Sequence, residues 1–176
     1  IFAGFGRATA DRLERYKVSR NSQLVADAAW GLALWHGSVG DYSKALDHLT
    51  LRRLADPRTG RELAHHILEI EALLKLGRVD DAEAVLRVAD PRGGTSPQLC
   101  FLAANATALR TDLPQSEKDR LRLDWLNKPL IAAGLSRLEI KDNARPLAFD
   151  NLTAATTSLY PRSGEAKVSV LMPAYE

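Results

Sequence analysis

Cysteine is almost missing from this chain: Cys100 is the single one, so no disulfide can form within it. One free thiol fits a reducing compartment, and a cytoplasmic location is expected. Phe101 beside it points to a packed core thiol rather than a reactive one. No apolar run nears the ~20 residues of a membrane span. The glycine-broken opening Ile1-Phe2-Ala3-Gly4-Phe5-Gly6 is too short for the core of a signal peptide. An excess of one charge is lacking too. Lys and Arg number 24 against 22 Asp and Glu, a net charge of +2. No arginine stripe with interleaved aromatics marks a nucleic-acid partner. No Gly-x-Ser-x-Gly elbow points to a hydrolase. The first residue is not methionine, so the chain is expected to be a piece of a longer protein.

What is present is mostly helix-forming. With 176 residues, 45% of them apolar, one good core and one main domain are expected. From about Asp11 to Leu135, Ala, Leu, Arg and Glu dominate, and apolar residues recur every three or four positions, which predicts helix throughout. Asn21-Ser22 caps a helix running to about His36, which Gly37 and Gly40 stop. Asp41 caps the next, to about Leu54, where Asp56-Pro57 breaks it. Further helices are expected from about Thr59 to Leu76, Val79 to Ala89, Pro97 to Arg110 and Gln115 to Ala133. Gly77, Asp90-Pro91 and Gly134 are stops, and Arg92-Gly93-Gly94-Thr95 is a loop.

These helices pair, and the pairs are alike. Gly40-Asp41-Tyr42 with Ala45 and Leu49 aligns with Gly77-Arg78-Val79 with Ala82 and Leu86, 37 residues on. The pattern resembles the tetratricopeptide repeat (TPR), of about 34 residues. Ala33 falls at the small position of its first helix and Pro57 at its closing proline. The second repeat is poorer, with Ile70 at the small position and an early Pro91. A third pair, near residues 97–134, keeps almost none of the signature. Hairpins of this kind bury their apolar faces by stacking on one another. The expected fold is therefore all-α: a TPR-like array of antiparallel helix hairpins over residues 1–135.

Chemistry-bearing clusters are few. Glu62-x-x-His65 and His66 with Glu69 pair carboxylates with imidazoles, but both pairs fall on one expected helix. A dinuclear bundle needs such motifs on separate helices, so these four read as surface or groove residues. His36 and Asp47-His48 stand isolated in the sequence. No catalytic and no metal-ligating residue is assigned. Arg52-Arg53 to Arg61 reads as a solvated face, and the first place to test for an anionic ligand. The triplets Asn105-Ala106-Thr107 and Asn151-Leu152-Thr153 match the glycosylation sequon by chance.

Residues 136–166 form a linker, broken by Arg145-Pro146, Pro161 and Ser163-Gly164. Leu138-Glu139-Ile140 reads as a brief strand or turn, and Leu152 to Ser158 as one short helix. Leu147, Phe149 and Leu152 are the expected anchors on a neighbour.

The last ten residues, Lys167-Val168-Ser169-Val170-Leu171-Met172-Pro173-Ala174-Tyr175-Glu176, read as a buried β-strand ended by proline. They resemble the opening strand of family 2 inverting glycosyltransferases, a basic residue followed by Val-Ser-Val-hydrophobic-hydrophobic-Pro-small-Tyr. That resemblance implies the start of a truncated GT-A domain at 167–176. Pro173, Ala174, Tyr175 and Glu176 would then form one wall of a nucleotide pocket, in keeping with ligand binding beyond strand ends. Glu176 stands where the family often has Asn. The resemblance further implies a nucleotide-sugar donor, a glycan acceptor and a divalent Mg or Mn ion in the parent enzyme. The Asp-x-Asp motif and catalytic base that the family requires are not in this chain. The helices are expected to be an accessory domain, inert alone, that positions acceptor or partner. The rival reading is a TPR-like protein-interaction scaffold unrelated to sugar transfer.

Overall fold

The computed structural model describes residues 6–94 and 96–155, which hold seven α-helices and one two-stranded sheet. The helices are α1 (Gly6–Tyr16), α2 (Ser22–Ser38), α3 (Tyr42–Ala55), α4 (Leu63–Lys75), α5 (Val79–Ala89), α6 (Pro97–Leu109) and α7 (Gln115–Ala132). The strands are β1 (Leu138–Ile140) and β2 (Leu152–Ala154), paired antiparallel with Glu139 opposite Thr153. The described chain is thus predominantly helical. Each helix packs on the one before it, and α4 also meets α2 and α6.

Local signals set most boundaries. Asn21 Oδ1 accepts from the amides of Gln23 and Leu24 at 3.0 and 3.3 Å. Asp41 Oδ1 accepts from the Lys44 amide. Both side chains satisfy donors that a helix start leaves over. At the other ends, three helices close alike. The amide after the glycine donates to the carbonyl five residues back: Asp41 to His36, Arg78 to Leu73 and Leu135 to Leu130. Gly40, Gly77 and Gly134 supply the positive φ of this Schellman cap, at 81°, 73° and 69°. Gly37, read as a stop, lies inside α2.

Three expectations change. The helix expected from Thr59 begins only at Leu63. Thr59 Oγ1 donates to the Asp56 carbonyl and Thr59–Arg61 is a 3₁₀ turn, after Pro57 has ended α3. Glu62 is extended (ψ 136°) at the cap position, so it is not a helical neighbour of His65. The short helix expected from Leu152 is instead β2 over its first three residues. β-branched Thr153 suits a strand, and β1 offers the partner that local propensity cannot see. Of the three expected anchors Leu147 is buried and Leu152 half-buried, but Phe149 is 94% exposed.

The core has two parts. In α2 and α3 it is built from small residues, with Ala26, Ala29, Ala33 and Ala45 fully buried around Leu32 and Leu49. Small side chains let these helices approach closely. Further along, Ile70, Leu73, Leu74, Ala82, Leu99 and Ala106 form a larger-residue cluster joining α4, α5 and α6. Each fully buried Ile or Leu contributes roughly 1.5–3 kcal/mol to stability.

Candidate functional site

A cleft of 270 Å³ opens between α5, α6 and α7. Leu86, Leu99, Ala103 and Ala106 form its floor, and the Trp125 indole lines its side. Glu83, Arg87 and Asp90 from α5 and its end, with Thr107 from α6, supply polar atoms at its edge. The cleft is mainly apolar with a few convergent polar groups, the usual make-up of a small-ligand site, at the small end of the size range. Its rim is tied down. Arg110 donates to both Glu83 oxygens at 3.0 Å and to Asp112. Asp112 first and Glu83 second hold its guanidinium above the ordinary range. The Gly94 amide donates to Asp90 at 2.6 Å, which folds the Gly93-Gly94 loop against α7. Lys128 Nζ lies 3.4 Å from the Trp125 ring centre, a cation–π contact. Cys100 is buried on α6, and desolvation raises its thiol above the usual range, as expected for a core thiol.

A polar cluster lies buried between α3 and α4. Arg52, expected on a solvated face, is 7% exposed and stacks on Trp30 with its guanidinium 4.3 Å from the ring centre. It donates to Glu62 at 2.7 Å and faces His65 Nδ1 at 3.4 Å. Arginine can only donate, so His65 Nδ1 accepts and its Nε2 carries the proton. That Nε2 is buried without a hydrogen bond, with Glu69 Oε2 at 3.7 Å. Burial first, then the charge of Arg52, pushes His65 down to about 4. His66 is also buried, its Nδ1 unpaired. The two histidines read as surface or groove residues are therefore interior ones.

A second cluster joins residues that stand isolated in the sequence. His36 of α2 and His48 of α3 stack with ring centres 5.1 Å apart and planes 20° from parallel. Glu14 of α1 brings Oε1 to 3.8 Å from His48 Nε2 and pairs with Lys17. Burial, then Lys17, holds His48 below the ordinary imidazole range.

Of the residues singled out in the sequence, Pro173, Ala174, Tyr175 and Glu176 lie outside the described residues, as does the strand they end. Asn151 is fully buried and Thr107 nearly so, in keeping with chance sequons. Sequence reasoning missed the cleft, because no local pattern links Trp125 to α5. The histidine pair did leave a trace: His36 continues the buried stripe Ala29-Leu32-Ala33, and His48 falls in step with Ala45 and Arg52. Among the described residues no helix is long and apolar enough to cross a membrane. Comparison of the chain with protein-family models, with curated proteins and with solved structures finds no match.

Proposed function

We propose that this chain is a binding module, the TPR-like accessory portion of a cytoplasmic, nucleotide-sugar-dependent family 2 glycosyltransferase, and that its α5–α6–α7 cleft holds the glycan acceptor. The observation that carries the binding role is the cleft itself, with Trp125 beside Glu83, Arg87, Asp90 and Thr107 over an apolar floor. A saccharide presents C–H faces that pack on an indole and hydroxyls that donate to carboxylates and accept from arginine. The role in sugar transfer is supported separately, by the resemblance of residues 167–176 to the family's opening strand. On this reading the donor and its Mg or Mn ion belong to the portion of the parent enzyme that carries the Asp-x-Asp motif. The helices carry no catalytic group.

Tryptophan fluorescence of the chain, titrated with a panel of neutral and acidic oligosaccharides, tests the binding role. One saccharide class should perturb the emission saturably, and Trp125→Ala should abolish that binding while leaving helical content intact. A cleft that binds peptides and no saccharide would favour the interaction scaffold instead. Melting of a chain extended beyond Glu176 tests the transferase role, since a nucleotide sugar should raise its Tm.

A further inference from the structure

We infer that Glu14, His36 and His48 form a binding site for a divalent transition-metal ion of the zinc class. The side chains come from α1, α2 and α3, and one ligand atom from each lies within 4.8 Å of the other two. Two imidazoles and one carboxylate are a donor set suited to zinc, unlike the all-oxygen sets that calcium and magnesium take. Zinc with donors near 2.1 Å holds them roughly 3.4 Å apart, so small side-chain rotations complete the geometry. Three protein donors leave a fourth position for water or an added ligand.

Independent marks accompany the cluster. His36 Nδ1 is buried and makes no hydrogen bond, and native interiors rarely leave such a nitrogen unpaired without a reason. The contact of His48 Nε2 with Glu14, at 3.8 Å, is beyond hydrogen-bonding range, so neither group is engaged by the other. The His48 side chain is 8% exposed and that of Glu14 is 42% exposed, which shields the imidazoles and leaves the carboxylate side open to an arriving ion. Asp41 Oδ2 stands 3.7 Å from His36 Nδ1, also beyond hydrogen-bonding range, so it does not occupy that nitrogen. Asp41 is itself held by Lys44 at 2.7 Å. The pairing of Lys17 with Glu14 is the contact an ion displaces, and the long lysine stem can turn to solvent. By bridging three helices, the ion would fasten α1 to the α2–α3 pair, since metal binding to the folded form alone stabilises it.

The test uses the untagged 176-residue chain, stripped with chelator and titrated with Zn²⁺ by calorimetry and with Co²⁺ by visible absorption. One ion per chain is expected, with the Co²⁺ bands of a four-coordinate nitrogen–oxygen site that Zn²⁺ erases and Mg²⁺ does not. His36→Gln and His48→Gln should each weaken Zn²⁺ binding by roughly 100-fold or more. His66→Gln should leave it unchanged. Glu14→Gln, an exposed substitution that keeps the helices, should weaken it by at least about tenfold and stays informative if His48→Gln does not fold. The absence of stoichiometric binding to the wild-type chain would overturn the inference. So would an affinity shared by the wild type, Glu14→Gln and His36→Gln.

Discussion

The two halves of the molecule bury polar side chains in opposite ways. In the C-terminal half the buried amides and acids are spent on backbone. Asn127 accepts from the Leu138 amide at 2.7 Å and donates to the Leu138 carbonyl at 3.0 Å, the bonds a neighbouring strand would make. Asp119 accepts from the Leu147 amide. Asn151 receives the Asp142 amide and gives its own N–H groups to the carbonyls of Asp142, Arg145 and Pro146. Among the described residues, the buried nitrogens without a hydrogen bond are Arg122 Nε in this half and His36 Nδ1, His65 Nε2 and His66 Nδ1 in the other. Satisfied polar groups fix a loop where no large core is available. Unsatisfied imidazoles do not stabilise a fold, and an unpaired ring nitrogen is the kind of atom that can bind an ion.

The sharpest way to break the comparison is to remove an amide of the C-terminal half. Asn151→Ala leaves one amide and three carbonyls without their partner in a fully buried place. It should lower stability by about 3–4 kcal/mol, read by urea unfolding. A loss below ~1 kcal/mol would mean that the 141–151 segment opens locally and the satisfied network is not part of the cooperative unit.

Protons give the next largest effect, in the other half. His65 stays neutral in the folded chain down to about pH 4, whereas the unfolded chain takes up its proton near pH 6.5. Between those values the unfolded state binds more protons, so stability falls as pH drops from 6.5 to 4 and levels off below. The difference amounts to about 3 kcal/mol for this group. His65→Asn keeps an acceptor for Arg52 and removes the titration. Its destabilisation, measured against wild type, should therefore be about 3 kcal/mol larger at pH 7 than at pH 4. The carboxylates titrate in both chains and cancel. A pH-independent difference would mean that His65 is not held neutral by its burial. Asn127→Ala, by contrast, should cost about 2 kcal/mol with no pH dependence over that interval.

How far the sequence could be read follows the same division. Caps and stops are local, so Asn21, Asp41, Gly40, Gly77 and Gly134 announce helix ends that the structure keeps. The predominantly helical character was legible for that reason. Pairing is not local. Nothing in Leu152-Thr153-Ala154 says that β1 is its partner, and nothing in Pro57-Arg58-Thr59 says that the next helix waits until Leu63. The candidate sites are less legible still, because Glu14, His36 and His48 meet only through the packing of three helices. Their trace is a polar residue in step with an apolar stripe. A stripe that carries His48 and Arg52 among Ala45 and Leu49 reads as amphipathic drift until the facing helix is known.

The smallest effect sharpens the comparison at the level of the backbone. Gly40 and Gly77 both hold positive φ, and a Cβ built on either meets no atom within 4 Å. Gly40→Ala and Gly77→Ala therefore impose backbone strain without steric collision, about 1 kcal/mol each. Equal losses in chemical denaturation would show that the α2–α3 and α4–α5 turns, 37 residues apart, are energetically equivalent. A larger loss at Gly40 has a specific cause available to it. His36 precedes that turn by one helical turn and its carbonyl accepts the Asp41 amide of the cap, so strain there shifts the ring that stacks on His48. Zinc would then deepen the Gly40→Ala penalty and leave that of Gly77→Ala unchanged, because only the first turn lies between two ligands of the ion.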